Sequence, residues 1–164
     1  MGKIPSTSNM ISSIITSPMP GQNIAANKDF TVSVQTTGLT AGSFTNAAAT
    51  YYSAPQNLAS NGQITGHTHV TVQDLGKSLT PTTAPDPTAF VFFKGINDAG
   101  NEKGLLTAMV TGGLPAGNYR VCAMTSSSNH QPVLMPVARR GAQDDCQKFT
   151  VGAAAAGGAA KKGN

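Results

Sequence analysis

Charge is scarce in this chain: Asp, Glu, Lys and Arg make up 11% of its 164 residues, against about a quarter in ordinary soluble domains. Its surface must therefore be covered by Ser, Thr, Asn, Gln and Gly, a neutral polar coat that suits an extracellular protein. Tryptophan is absent and aromatics are only 5%. A nucleic-acid-binding face needs clustered cations with rings between them. Here much of the +4 excess sits at the ends, on Lys3, Lys161 and Lys162, and Arg139-Arg140 is offset by Asp144-Asp145. Nucleic acid is thus set aside as a partner. No run of about 20 apolar residues is present, so no transmembrane helix is expected. The first residues do not form a signal peptide, so a secreted protein requires that such a leader has been removed.

Enzyme signatures are missing too. There is no Gly-x-Ser-x-Gly elbow and no phosphate-cradling glycine loop. Glycoside hydrolysis needs two facing carboxylates. Of seven acidic residues only Glu102 is a glutamate, and it lies in a predicted loop. Asp144 and Asp145 are adjacent, so on a strand they point to opposite faces. The residues lean away from a hydrolase.

Only two cysteines are present, Cys122 and Cys146, without the spacing of a zinc ribbon. Both lie in or beside predicted strands. Paired, they close a loop of about 25 residues, which in the chain-entropy account contributes about 3.5 kcal/mol. Two buried free thiols are the alternative.

What the chain does have is turn residues at short, regular intervals. Ile11 to Thr16, Phe30 to Val34, Ile64 to Leu75, Ala89 to Phe93, Leu105 to Val110, Asn118 to Met124, Pro132 to Ala138 and Gln147 to Val151 all read as strands between Gly, Pro, Ser and Asn clusters. That predicts an all-β domain, an immunoglobulin-like or related antiparallel β-sandwich of seven or eight strands. The Ala89 to Phe93 run is continuously apolar, as for a strand covered on both faces. Residues 43–60 have room for one short helix. The domain spans 11–152, between a flexible tail at 1–10 and a disordered Ala/Gly/Lys tail at 153–164.

The three histidines are the best candidates for chemistry. In Gly66-His-Thr-His-Val-Thr-Val72 the side chains alternate, so His67, His69 and Thr71 share one face and Thr68, Val70 and Val72 the other. The valines should face the core, leaving the histidines on the polar face. Imidazoles at i and i+2 of a strand can hold one ion, and neutral imidazole suits copper or zinc. His130, in Ser128-Asn-His-Gln-Pro132, is the third candidate ligand, and Asp144 and Asp145 can supply a carboxylate. A real site requires the ring nitrogens to meet within about 5 Å, since a zinc–nitrogen bond is about 2 Å. Two solvated or hydrogen-bonded histidines, with no cofactor, are the competing reading. Tyr51 and Tyr52, in a loop near Pro55, are candidate binding residues that can stack on sugar rings.

The combination of Tyr51-Tyr-Ser-Ala-Pro-Gln56, Gly66-His-Thr-His-Val70, Phe92-Phe-Lys-Gly95, Gly112-Gly-Leu-Pro-Ala-Gly117, Asn129-His-Gln-Pro-Val-Leu-Met-Pro-Val-Ala138 and Arg140-Gly-Ala-Gln-Asp-Asp145 resembles a group of small secreted fungal proteins, often mislabelled as ribosomal. More distantly it is similar to the appressorium-associated proteins of plant-pathogenic fungi. The resemblance implies secretion, a fungal source and a role at the cell surface or in the matrix. It supplies no mechanism. Three functions follow as expectations: binding or self-assembly at the fungal surface, metal binding through the histidines, and binding of cell-wall polysaccharide.

Overall fold

The computed structural model describes residues 1–51 and 54–152. Among them are nine strands: β1 (Ser12–Ser17), β2 (Asn23–Ile24), β3 (Phe30–Thr37), β4 (Leu39–Ala41), β5 (Ile64–Asp74), β6 (Phe92–Ile96), β7 (Leu105–Val110), β8 (Gly117–Ser127) and β9 (Cys146–Val151). They form two sheets. The smaller runs β1-β3-β7, and the larger runs β2-β9-β8-β5, with β4 and β6 both pairing with β5. The long ladders are antiparallel, and only the short pairs β2–β9 and β4–β5 are parallel. The expected all-β antiparallel sandwich is what this sequence builds.

The core follows from period-two alternation. On β3, Val32 and Val34 point inward. On β5, Val70 and Val72 do so, and on β8, Val121 and Ala123. They meet Ile15, Leu106 and Phe149 in one buried cluster between the sheets. Phe149 packs edge-on to Phe30 and stacks on Tyr119. The Tyr119 hydroxyl donates to the Pro115 carbonyl at 3.0 Å, tying the Gly/Pro turn to the strand that it feeds. Gly66 is needed on β5 opposite the end of β8, because a Cβ there would lie 2.0 Å from the Ser126 carbonyl oxygen.

Four local expectations change. Residues 132–138 form no strand, only a single bridge between Ser126 and Pro132. Pro132 and Pro136 have no N–H to give a ladder, and the Gln56 side chain serves the segment instead. Gln56 Oε1 accepts from Leu134 N at 2.8 Å and Nε2 donates to the Leu134 carbonyl at 3.1 Å. The apolar run at 89–93 is not doubly covered: its strand starts later, lies at the sheet edge, and leaves Phe90, Val91 and Phe93 exposed. No helix forms in the described part of 43–60, where Asn46 Oδ1 caps a lone turn by accepting from Ala48 N and Ala49 N. Residues 1–10, expected to be flexible, lie on the domain, with Pro5 buried and Lys3 N donating to the Gln56 carbonyl. The predicted tail at 153–164 lies outside the described residues.

Cys122 and Cys146 are joined by a disulfide. They are directly opposite on β8 and β9, with Cα atoms 4.1 Å apart.

Candidate metal centre

The outer face of the larger sheet carries the histidines. His67 and His69 point away from the valine core on β5, as alternation requires. Although it lies on the polar face and not in the valine core, His67 is 0% exposed. Two loops close over it. The Ser43 and Ser128 hydroxyls hydrogen-bond to each other at 2.7 Å, and Thr45 N donates to the Ser128 carbonyl at 2.7 Å. Phe44 meets the His67 ring edge-on at 6.2 Å between centroids.

The same loop delivers the third histidine. After β8 the chain turns back, with His130 N donating to the Ser127 carbonyl at 3.0 Å. His130 sits at φ +66°, a left-handed conformation uncommon outside glycine. Asn129 holds it there. Its buried Oδ1 accepts from Gln131 N at 3.0 Å and from the Ser127 hydroxyl.

The three rings converge. Centroids are 4.6 Å apart for His67–His69, 4.6 Å for His67–His130 and 5.6 Å for His69–His130. One nitrogen from each lies within 4.8 Å of the others. Tetrahedral coordination with bonds of about 2.0–2.1 Å places nitrogens about 3.4 Å apart, so modest ring rotations would close the set.

Hydrogen bonding decides which atoms are free. His67 Nδ1 lies 3.1 Å from the Ser43 carbonyl. A carbonyl only accepts, so Nδ1 carries the proton and Nε2 has a bare lone pair. That Nε2 is buried with no partner, and so is His130 Nδ1. A buried polar atom left unpaired costs about 1–3 kcal/mol, and two in one cluster require an explanation. The Ser43 carbonyl stands where orienting partners of metal-bound histidines stand.

Burial disfavours the charged forms of His67 and His69. Burial, with repulsion from His69 and His130 adding to it, pushes His67 from 6.5 down to about 4, against a smaller opposing effect of the Ser43 carbonyl. Burial and then His130 lower His69, while the Met124 backbone opposes the shift. Neutral imidazole is the form that ligates. The same shift predicts a pH dependence for the metal-free protein. The unfolded chain protonates His67 near 6.5 but the fold does not until about 4. Stability is therefore present above pH 6.5 and falls as pH drops from there towards 4, by at most about 3 kcal/mol. Urea unfolding with chelator present should show this fall, and His67→Gln should flatten it.

The other candidates separate. Tyr51 stacks on His130 with centroids 4.9 Å apart, forming a wall of the cluster. Tyr52 lies outside the described residues. Asp144 and Asp145 are not in the cluster. Asp144 Oδ1 accepts from Thr125 N at 2.8 Å, and burial raises its carboxyl. Asp145 Oδ2 accepts from Ile15 N at 2.8 Å and from Gln147 Nε2 at 3.1 Å. They fasten the segment before β9 to β8 and β1. Sequence reasoning passed over Ser43, Asn129, Phe93 and Gly95. Phe93 stacks on His69 at 5.2 Å, and Gly95, opposite His69 on β6, leaves room for that ring. Gly95 lies beyond the predicted strand end at Phe93, so its place within β6 was not legible in the sequence.

Fold and site together define a two-sheet β-sandwich domain with a trio of histidines on the outer face of its larger sheet. The chain belongs to the CLU5d N-terminal domain family, whose pattern matches residues 13–152. It is similar to pathogenicity cluster 5 protein d of Colletotrichum graminicola, at 67% identity over 152 residues, which are 93% of this chain and 32% of that protein. The chain thus spans about a third of that relative's length. The fungal part of the motif resemblance agrees with this. Among solved structures it is similar to the fibronectin(III)-like modules of Clostridium thermocellum CbhA, at 16% identity and TM-score 0.37, over 85% of this chain and 45% of that one. It is also similar to a β-glucosidase from Listeria innocua in complex with glucose, at 13% identity and TM-score 0.39, over 87% and 16%.

Proposed function

We propose that this domain binds one transition-metal ion, copper or zinc, through His67, His69 and His130. One observation carries the reading: three imidazoles offer nitrogens within 4.8 Å of one another, and two of those rings hold buried nitrogens with no other partner. Hard cations such as calcium and magnesium choose oxygen ligands, whereas imidazole suits zinc and copper. Three donors leave a fourth position for water or a partner's group.

In this reading the domain is a binding module of an extracellular fungal protein, working at the cell surface or in the matrix. The disulfide supports an oxidising compartment, and the fungal pathogenicity protein that it resembles supports the setting. Polysaccharide binding through exposed tyrosines draws less support, because the Tyr51 ring is engaged with His130.

Metal analysis of untagged protein tests the proposal. The unmodified chain dialysed against zinc or copper should retain about one equivalent, a one-site expectation. His67→Ala/His69→Ala should retain almost none. Equal metal in both would overturn it.

A further inference from the structure

We propose that a second site lies beside the histidines: a groove on the same sheet face that binds a small aromatic carboxylate, with Arg120 taking the carboxylate. The groove encloses about 460 Å³, within the roughly 300–1,000 Å³ of small-molecule sites. Its floor is the outward row of β5 and β8, including Thr71, Gln73, Arg120 and Met124, with the disulfide alongside. Its walls are Pro85, Pro87, Phe90 and Phe93.

Aromatic preference comes from the walls. Phe90 and Phe93 lie 5.9 Å apart, tilted at 53°, and each is about half exposed. Ring faces set at an angle beside prolines suit a flat apolar body, with offset or edge-on packing worth about 0.5–1.5 kcal/mol per ring pair. Proline fixes φ, so the wall is formed before a ligand arrives. The wall is also tied down: Gln73 Nε2 donates to the carbonyls of Asp86 at 3.0 Å and Ala89 at 3.1 Å.

Anion preference comes from Arg120. Its Nη2 donates to Gln73 Oε1 at 2.6 Å, whereas its Nε is buried with no hydrogen-bond partner. No carboxylate pairs with it among the described residues. Its neighbour directly across on β9 is Lys148, a second cation. Like charges directly opposite on a sheet repel, and an anion at the Arg120 guanidinium relieves that repulsion. The planar guanidinium fork matches a carboxylate.

The groove and the histidine cluster share a wall, because Phe93 stacks on His69 and Met124 lies opposite it. The carboxylate site itself needs no metal, so it is tested on chelator-treated protein, and its failure leaves the metal proposal untouched. Calorimetric titration with 2-naphthoate and with its neutral amide should show the acid binding at least tenfold more tightly. Arg120→Gln should bring the acid down to the level of the amide, and Arg120→Lys should restore part of the difference. Phe90→Ala should weaken both probes alike. Equal affinity for acid and amide, an unchanged affinity in Arg120→Gln, or no binding of either up to millimolar concentration would each overturn the proposal. If Arg120→Gln does not fold, the acid–amide comparison on the unmodified chain still decides.

Discussion

Copper(II) or zinc held free at about a thousandfold above its dissociation constant is expected to stabilise the metal-free protein by about 4 kcal/mol. For a domain of this size that raises the unfolding midpoint by roughly 10 °C. In the proposed site the ion would meet three converged imidazoles, whereas the unfolded chain offers them only as separate, flexible side chains. Little proton work opposes it near neutral pH, since burial already holds His67 neutral. Calcium and magnesium at the same concentration should give no shift. Differential scanning calorimetry on chelator-treated protein, with and without each ion, makes the comparison. His67→Ala/His69→Ala should lose the shift, and a metal response that survives in this variant would place the ion elsewhere.

Removing the disulfide should cost nearly as much. In the Cys122→Ala/Cys146→Ala variant the unfolded chain regains the freedom of a loop of about 25 residues, a loss of about 3.5 kcal/mol in the chain-entropy account. Against a total of about 5–15 kcal/mol this is a large share. The loop has a particular content. It carries the Asn129–His130 turn and the irregular segment through Val133 and Asp145, with regular pairing only where β8 ends. Loosening it releases the turn that holds His130 at φ +66°. The variant should therefore bind metal more weakly as well as unfold earlier. Denaturant unfolding and metal titration on the same sample check the two together. An unchanged midpoint would show that the β8–β9 ladder alone secures the loop.

The fold was largely legible because a sandwich announces itself by alternation. Val32 and Val34, Val70 and Val72, and Val121 and Ala123 each face inward at period two, and turn residues cut the strands to length. Reading failed where apolar composition and backbone donors disagreed. Pro132 to Ala138 has the side chains of a strand but lacks two of the N–H groups that a ladder needs. Phe90, Val91 and Phe93 look like core and are instead exposed at an edge, because the proline-rich segment before them forms a wall and not a covering layer.

The histidine site divides along the same line. Sequence alone determined that His67 and His69 share a face and that this face is not the valine core, since strand geometry allows nothing else. Only the tertiary structure decided that two loops close over His67 and that His130 arrives beside it. It also decided that the Ser43 carbonyl accepts from one His67 nitrogen and that the other is left buried without a partner. Those facts depend on contacts between residues 24 and more than 60 positions apart in the chain. A local pattern cannot encode such contacts, because they exist only once the core has brought the strand ends together.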